Sequence, residues 1–206
     1  MTTPTPLIHV VDDDESLRTA LLRLLDAAGF SARGYASVGD FLLQPPPDGP
    51  GCVLLDVRMP GPSGLDLQAA LLRQGNALPV VFLTGYADVA TSVQAMKAGA
   101  VDFLTKPVKR EALFDALQRA LARDAAEREA RAQAEQLRAA FAALTPRERA
   151  VFDRVVAGEL NKQIADALGI AERTVKMQRA QLMAKLGASS AAELGRLAER
   201  LQHLPN

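Results

Sequence analysis

The run CVLLD, residues 52–56, decides the fold. Four apolar residues in succession, with no polar residue alternating between them, describe a strand covered on both faces, and Asp56 marks where it leaves the core. Working outward, LIHVV (7–11), SARGY (31–35), PVVFL (79–83) and VDFL (101–104) read as further short strands. Helix-like amphipathic stretches lie between and after them, near 15–28, 37–43, 64–74, 88–98 and 109–122, with Gly29 and Gly99 as C-terminal caps of the first and fourth. Strands alternating with helices predict an α/β doubly wound, five-stranded parallel sheet. The stretch QPPPDGPG (44–51) is a surface loop leading into the third strand.

The chain has 206 residues, 49% hydrophobic and 23% charged, which suits one domain of ordinary size and a second small one. No apolar run reaches the roughly 18–20 residues that span a bilayer, and MTTPTP before LIHVV has neither the basic start nor the apolar core of a signal peptide, so a cytoplasmic protein with no membrane partner is expected. The single cysteine, Cys52, excludes an internal disulfide or a Cys-rich metal site and reads as a buried strand residue. Net charge is zero overall but uneven: residues 1–122 hold 10 Lys+Arg against 13 Asp+Glu, and residues 144–206 hold 10 against 7. The basic excess at the C-terminal end suits contact with a polyanion.

Residues 1–122 form the first expected domain. Residues 123–143, RDAAEREARAQAEQLRAAFAA, lack Gly and Pro and alternate charge signs, which predicts a helical linker with only Leu137 and Phe141 as large apolar residues before Leu144. Thr145-Pro146-Arg147-Glu148 then carries an N-cap, a proline at the first helical position and the acid of a capping box. The last module, 144–206, reads as all-α: four short helices near 146–157, 161–168, 172–186 and 190–201. A four-helix unit of this size has a small core and suits binding better than catalysis. The turn Gly169-Ile170-Ala171 between its second and third helices is that of a helix-turn-helix. In the third helix Val175, Leu182 and Leu186 face the core with Gln178 at the edge, while Arg173, Lys176, Met177 and Ala180 are exposed, Arg179 flanks them and Lys185 lies at the far end.

Ligands of an open parallel sheet bind beyond the carboxyl ends of its strands. There the chain places Asp12 and Asp13, Asp56, Thr84 with Gly85, and Lys106-Pro107. Crowded carboxylates repel one another unless a cation neutralises them, and an oxygen-donor set suits Mg²⁺.

The motifs VVDDDES, LLDVRMPG, FLTG and DFLTKP resemble the receiver domains of response regulators over all of residues 7–122. The resemblance implies that Asp56 is phosphorylated from a phosphohistidine of a sensor histidine kinase. It implies a Mg²⁺ site made by Asp13, the Asp56 carboxylate and the backbone carbonyl of Arg58, with Asp12 acting through water. Lys106 would pair with phosphoryl oxygens, Thr84 would donate its hydroxyl, and Phe103 would swing inward as Thr84 moves; Lys106–Pro107 matches a bond that is cis in the family. Arg58 and Tyr86, two residues beyond Asp56 and Thr84, either screen the phosphoryl group from water or are solvated loop residues.

LTPRERAVF, NKQIADALGI, RTVKMQRAQLMAKLG and SSAAEL resemble the C-terminal domains of LuxR/FixJ-type regulators. That resemblance places the helix from Glu172 in a DNA major groove, with Lys176 and Met177 at base edges and Lys162, Thr174, Arg179 and Lys185 at phosphates, beside the cationic Arg173. Gln178 stands where many relatives carry His. The final helix, with Leu194, Leu197 and Leu201 partly in the core, would offer Ala191 and Ala198 to a second copy. The expected function is a two-component response regulator that dimerises on phosphorylation and binds promoter DNA, with RNA polymerase as a further partner if the output is activation. A phosphohydrolase with an aspartyl intermediate is disfavoured, because Arg58 stands where such enzymes place a second acid. A phosphate-sink or adaptor protein with a vestigial DNA module remains the alternative.

Overall fold

The computed structural model describes residues 5–44, 49–75, 78–85 and 88–203. The chain divides into two compact units, Met1–Arg128 and Glu129–Asn206. The first alternates strands and helices: β1 Leu7–Val11, α1 Glu15–Ala27, β2 Ser31–Tyr35, α2 Val38–Leu43, β3 Gly51–Leu55, α3 Gly64–Arg73, β4 Val80–Thr84, α4 Val89–Lys97, β5 Asp102–Thr105 and the beginning of α5 Arg110–Ala142, whose later residues belong to the second unit. All pairings are parallel, in the order β2-β1-β3-β4-β5.

The unbroken apolar runs are explained by two covered faces. Along β3, Cys52 and Leu54 point to one side and Val53 and Leu55 to the other; along β4, Val81 and Leu83 oppose Val80 and Phe82. One side packs on Leu21 and Leu25 of α1 and Leu113 and Leu117 of α5. The other packs on Phe41 of α2, Leu67 and Leu71 of α3 and Ala95 of α4. β1 adds His9 to this interior: it is 2% exposed, its Nδ1 lies 3.0 Å from the Tyr35 hydroxyl, and Phe41 meets its ring edge-on. Helix starts follow the side chains that cap them, Asp14, Ser37, Ser63 and Asp88.

α5 does not end near residue 122; it continues as one helix through the stretch read as a linker. Its continuation is tied to the first unit at Asp124, a buried carboxylate that accepts from the Gly51 N–H at 2.9 Å and from Arg128 Nε at 2.9 and 3.0 Å, while Arg128 also bonds the Gly49 carbonyl. A Cβ on Gly51 would lie 2.2 Å from the Leu7 carbonyl oxygen, so this strand start admits only glycine.

The second unit holds α6 Pro146–Val156, α7 Asn161–Leu168, α8 Glu172–Leu186 and α9 Ala191–His203. Thr145 and Glu148 form the expected capping box, and Gly169 turns α7 into α8 at φ 63°. Val151, Phe152 and Val155, Ile164, Val175, Leu182 and Leu186, and Leu194 build its core, joined by Phe141 and Leu144. Ala198 is 8% exposed, and Ala191, half-buried, packs against the same cluster.

Candidate functional site

Strand pairing brings the acidic residues together. Val11 and Leu55 are partners across β1 and β3; just beyond them the Asp56 N–H donates to the Val11 carbonyl at 2.9 Å and the Asp12 N–H to the Tyr35 carbonyl at 3.2 Å. Asp12 and Asp56 therefore leave neighbouring strands side by side. Thr84 ends β4 opposite Thr105, and the next residue, Lys106, donates its N–H to the Thr84 carbonyl at 2.8 Å before a cis bond to Pro107. Asp12, Asp13 and Asp56 each offer a carboxylate oxygen, all within 4.8 Å of one another.

Lys106 lies between two of these acids. Its Nζ donates to Asp56 Oδ2 at 2.6 Å and to Asp12 Oδ2 at 2.7 Å. The remaining oxygens are also occupied: Asp56 Oδ1 accepts from the Arg58 N–H at 3.2 Å, Asp12 Oδ1 from the Asp14 N–H at 3.0 Å. Arg18 of α1 braces the same corner by donating to the Asp12 carbonyl at 2.6 Å. Burial raises the Asp12 carboxyl above its ordinary range against the pull of Lys106, and Asp56 adds to the rise. Burial works to lower Lys106, but its hydrogen bonds to Asp12 and Asp56 and their charges outweigh it and hold the ammonium above its usual value. Crowding of acids is thus only part of the electrostatics: desolvation is the larger effect on Asp12, and the chain supplies one counter-cation itself. Asp13 is exposed and Asp56 is 8% exposed. Such a set of hard oxygen donors, open to solvent on one side, fits a small divalent cation that keeps several waters. Thr84 is buried at the same edge, and Phe103 is half-buried, its ring 5.9 Å from that of Phe82. Tyr86 lies outside the described residues.

In the second unit α8 exposes Arg173, Lys176, Met177 and Ala180, and Lys162 is exposed on the first turn of α7. Lys176 pairs with Glu172 one turn earlier, at 3.2 Å. Arg179 is half-buried and donates to Asn161 Oδ1 at 3.0 Å, which ties α8 to the start of α7. Thr174 is half-buried. Lys185 is engaged within the fold: its Nζ reaches the buried Glu148 at 2.7 Å and the Ala143 carbonyl at 3.4 Å. The Lys185 ammonium, with the Thr145 N–H, holds the Glu148 carboxyl below the usual range. Gln178 is 7% exposed, and its Oε1 has no hydrogen-bond partner among the described residues.

Residues 8–118 match the family model of the response regulator receiver domain. The chain belongs to the response regulators. Residues 142–198 of this regulator match the bacterial regulatory proteins of the luxR family, so a LuxR-type DNA-binding domain follows the receiver. The regulator is 43% identical over 195 residues to nodulation protein W of Bradyrhizobium diazoefficiens, covering 95% of this chain and 86% of the relative. It is 40% identical to the transcriptional regulatory protein FixJ of the same organism, covering 94% of each. The solved structure of the response regulator StyR superposes with a TM-score of 0.87 at 44% identity, over 96% of this chain and all of that one. Among the described residues no helix is long and apolar enough to cross a membrane.

The regulator's site also depends on residues that pattern reading passed over. Gly64 opens α3 against the end of β3: a Cβ there would lie 2.2 Å from the Asp56 carbonyl oxygen, and the Gly64 N–H donates to the Val57 carbonyl at 2.9 Å. A glycine in the first turn of an otherwise good helix was the available signal. Glu148 was legible as a cap, but its partnership with Lys185, 37 residues away, was not.

Proposed function

We propose that this response regulator takes a phosphoryl group on Asp56 from a sensor histidine kinase and, so modified, dimerises and binds promoter DNA to control transcription. The observation that carries the reading is Lys106 Nζ set 2.6 Å from Asp56 and 2.7 Å from Asp12 at the edge where four strands end. A carboxylate oxygen of Asp56 attacks the phosphorus, the new O–P bond forms as the P–N bond of the phosphohistidine breaks, and the leaving imidazole recovers a proton. Chemistry of this kind is mostly positioning and charge neutralisation. Asp13, Asp56 and the Arg58 carbonyl would hold Mg²⁺, with Asp12 acting through water; bound there, the ion neutralises charge on the phosphoryl oxygens. Lys106 exchanges Asp56 for a phosphoryl oxygen, Thr84 turns its hydroxyl toward the same group, and Phe103 follows into the space released. Such a change shifts an equilibrium between two packings of β4, α4 and β5.

In the DNA-binding domain α8 enters the major groove. Lys176 and Met177 meet base edges with Arg173 beside them, while Lys162, Thr174 and Arg179 meet phosphates. Lys185 joins these only through the N–H that Glu148 and Ala143 leave over. Two copies would read two half-sites, which compensates for the small area of one module. Activation through RNA polymerase and action in the cytoplasm are parts of the same reading. A small-molecule phosphodonor with Mg²⁺ adds one phosphate to the wild type and none to Asp56→Asn; equal labelling of the two overturns the assignment.

A further inference from the structure

Glu172 is an acid on the helix that should face the most acidic of partners. It is the first residue of α8, exposed, with its carboxylate 3.2 Å from Lys176 Nζ. An exposed pair at this spacing contributes little to stability, so holding the helix together is not a sufficient reason for it. On a surface laid against DNA, a carboxylate is repelled by the phosphates unless it meets a hydrogen-bond donor. The N-terminal residues of the second helix of a helix-turn-helix are the ones brought to base edges. In the major groove, the donor that a carboxylate reads is the exocyclic amine of cytosine.

We propose that Glu172 is a specificity-determining residue: its carboxylate accepts from cytosine N4 in each half-site, beside the base to which Lys176 donates. The inference rests on the reading of α8 as the groove helix. In the free protein each of the two side chains neutralises the other. On DNA the pair opens, Lys176 donating to guanine O6 or N7 and Glu172 accepting from cytosine, so that neither charge is left without a partner. Arg173 and Met177, exposed on the same two turns, leave no other acid on this part of the helix. The bland role for Glu172, complementing the positive end of the helix dipole, requires no particular base.

The two roles separate when the phosphorylated full-length protein selects binding sites from a random double-stranded pool. The wild type should yield half-sites with a cytosine close to a guanine. Glu172→Ala should lose the preference for that cytosine by about tenfold with the rest of the motif intact. Glu172→Gln should move the preference toward adenine, whose N6 and N7 suit a carboxamide. Both substitutions are at an exposed position and leave the core unchanged. An unchanged motif in both variants, with affinity raised equally for all sequences, would make Glu172 an electrostatic screen and overturn the inference alone. A wild type that selects no motif, or a Lys176→Ala variant that selects the wild-type one, would overturn the groove-helix reading and this inference with it.

Discussion

Replacing His9 with phenylalanine should make the receiver less sensitive to acid. Burial, with help from the Arg33 guanidinium, lowers the His9 pKa from 6.5 to about 4. An unfolded chain binds the proton near 6.5, and the folded one only near 4. The stability this neutral ring allows is therefore complete above pH 6.5 and is lost as pH falls toward 4. A gap of about 2.5 units corresponds to roughly 3 kcal/mol once both states are protonated, and to roughly 2 kcal/mol at pH 5. The chain contains two tyrosines and no tryptophan, and both tyrosines, at 35 and 86, belong to the first unit. Tyrosine emission during urea titration therefore follows the unfolding of that unit without interference from the DNA-binding domain. Between pH 7.5 and 5 the wild type should lose about 2 kcal/mol more than His9→Phe, since the carboxylates titrate alike in both proteins. The cost of losing the Tyr35 hydrogen bond is present at both pH values and cancels in the difference. Parallel losses in the two proteins would refute the reasoning.

Four other substitutions address separate parts of the molecule. Gly64→Ala forces α3 away from the Asp56 carbonyl, for about 1–3 kcal/mol of destabilisation and slower phosphate uptake in a mass-spectrometric time course; a wild-type rate would count against the close approach. Asp124→Ala leaves the Gly51 N–H without its acceptor, at about 1–3 kcal/mol, and should speed amide exchange at the start of β3. Lys185→Met removes the cation from the buried Glu148, so the melting temperature of the C-terminal helices falls while the salt dependence of DNA binding changes less than for Lys162→Ala, where the slope of log affinity against log salt drops by about 0.9 with stability intact.

What the sequence reveals follows from the range of each interaction. The buried strands announced themselves because a parallel sheet with two covered faces leaves runs such as CVLLD and PVVFL without alternation. The acidic site was equally legible, since its members end their strands and strand ends share an edge. Asp124 was not, because within RDAAEREAR it looks like any other charge on a solvated helix, and only the packed structure brings it to Gly51. Lys185 has the same history: in the sequence it is a cation on an exposed helix, and only packing sets Glu148 beneath it. The end of α5 was hidden for a related reason, because nothing in the chain stops the helix before Ala142.

Cys52 stands in β3, fully buried between two neighbouring strands, and burial with the nearby Asp124 charge pushes its thiol up to about 12. At pH 7 the thiol therefore stays protonated, and its burial keeps reagents from it while the sheet is closed. Since it is also the chain's one sulfhydryl, any modification by a thiol reagent records an opening of the strand that ends in Asp56. The protein thus carries a built-in clock for the breathing of its central strand, one that can be timed with and without a phosphodonor and needs no engineered label.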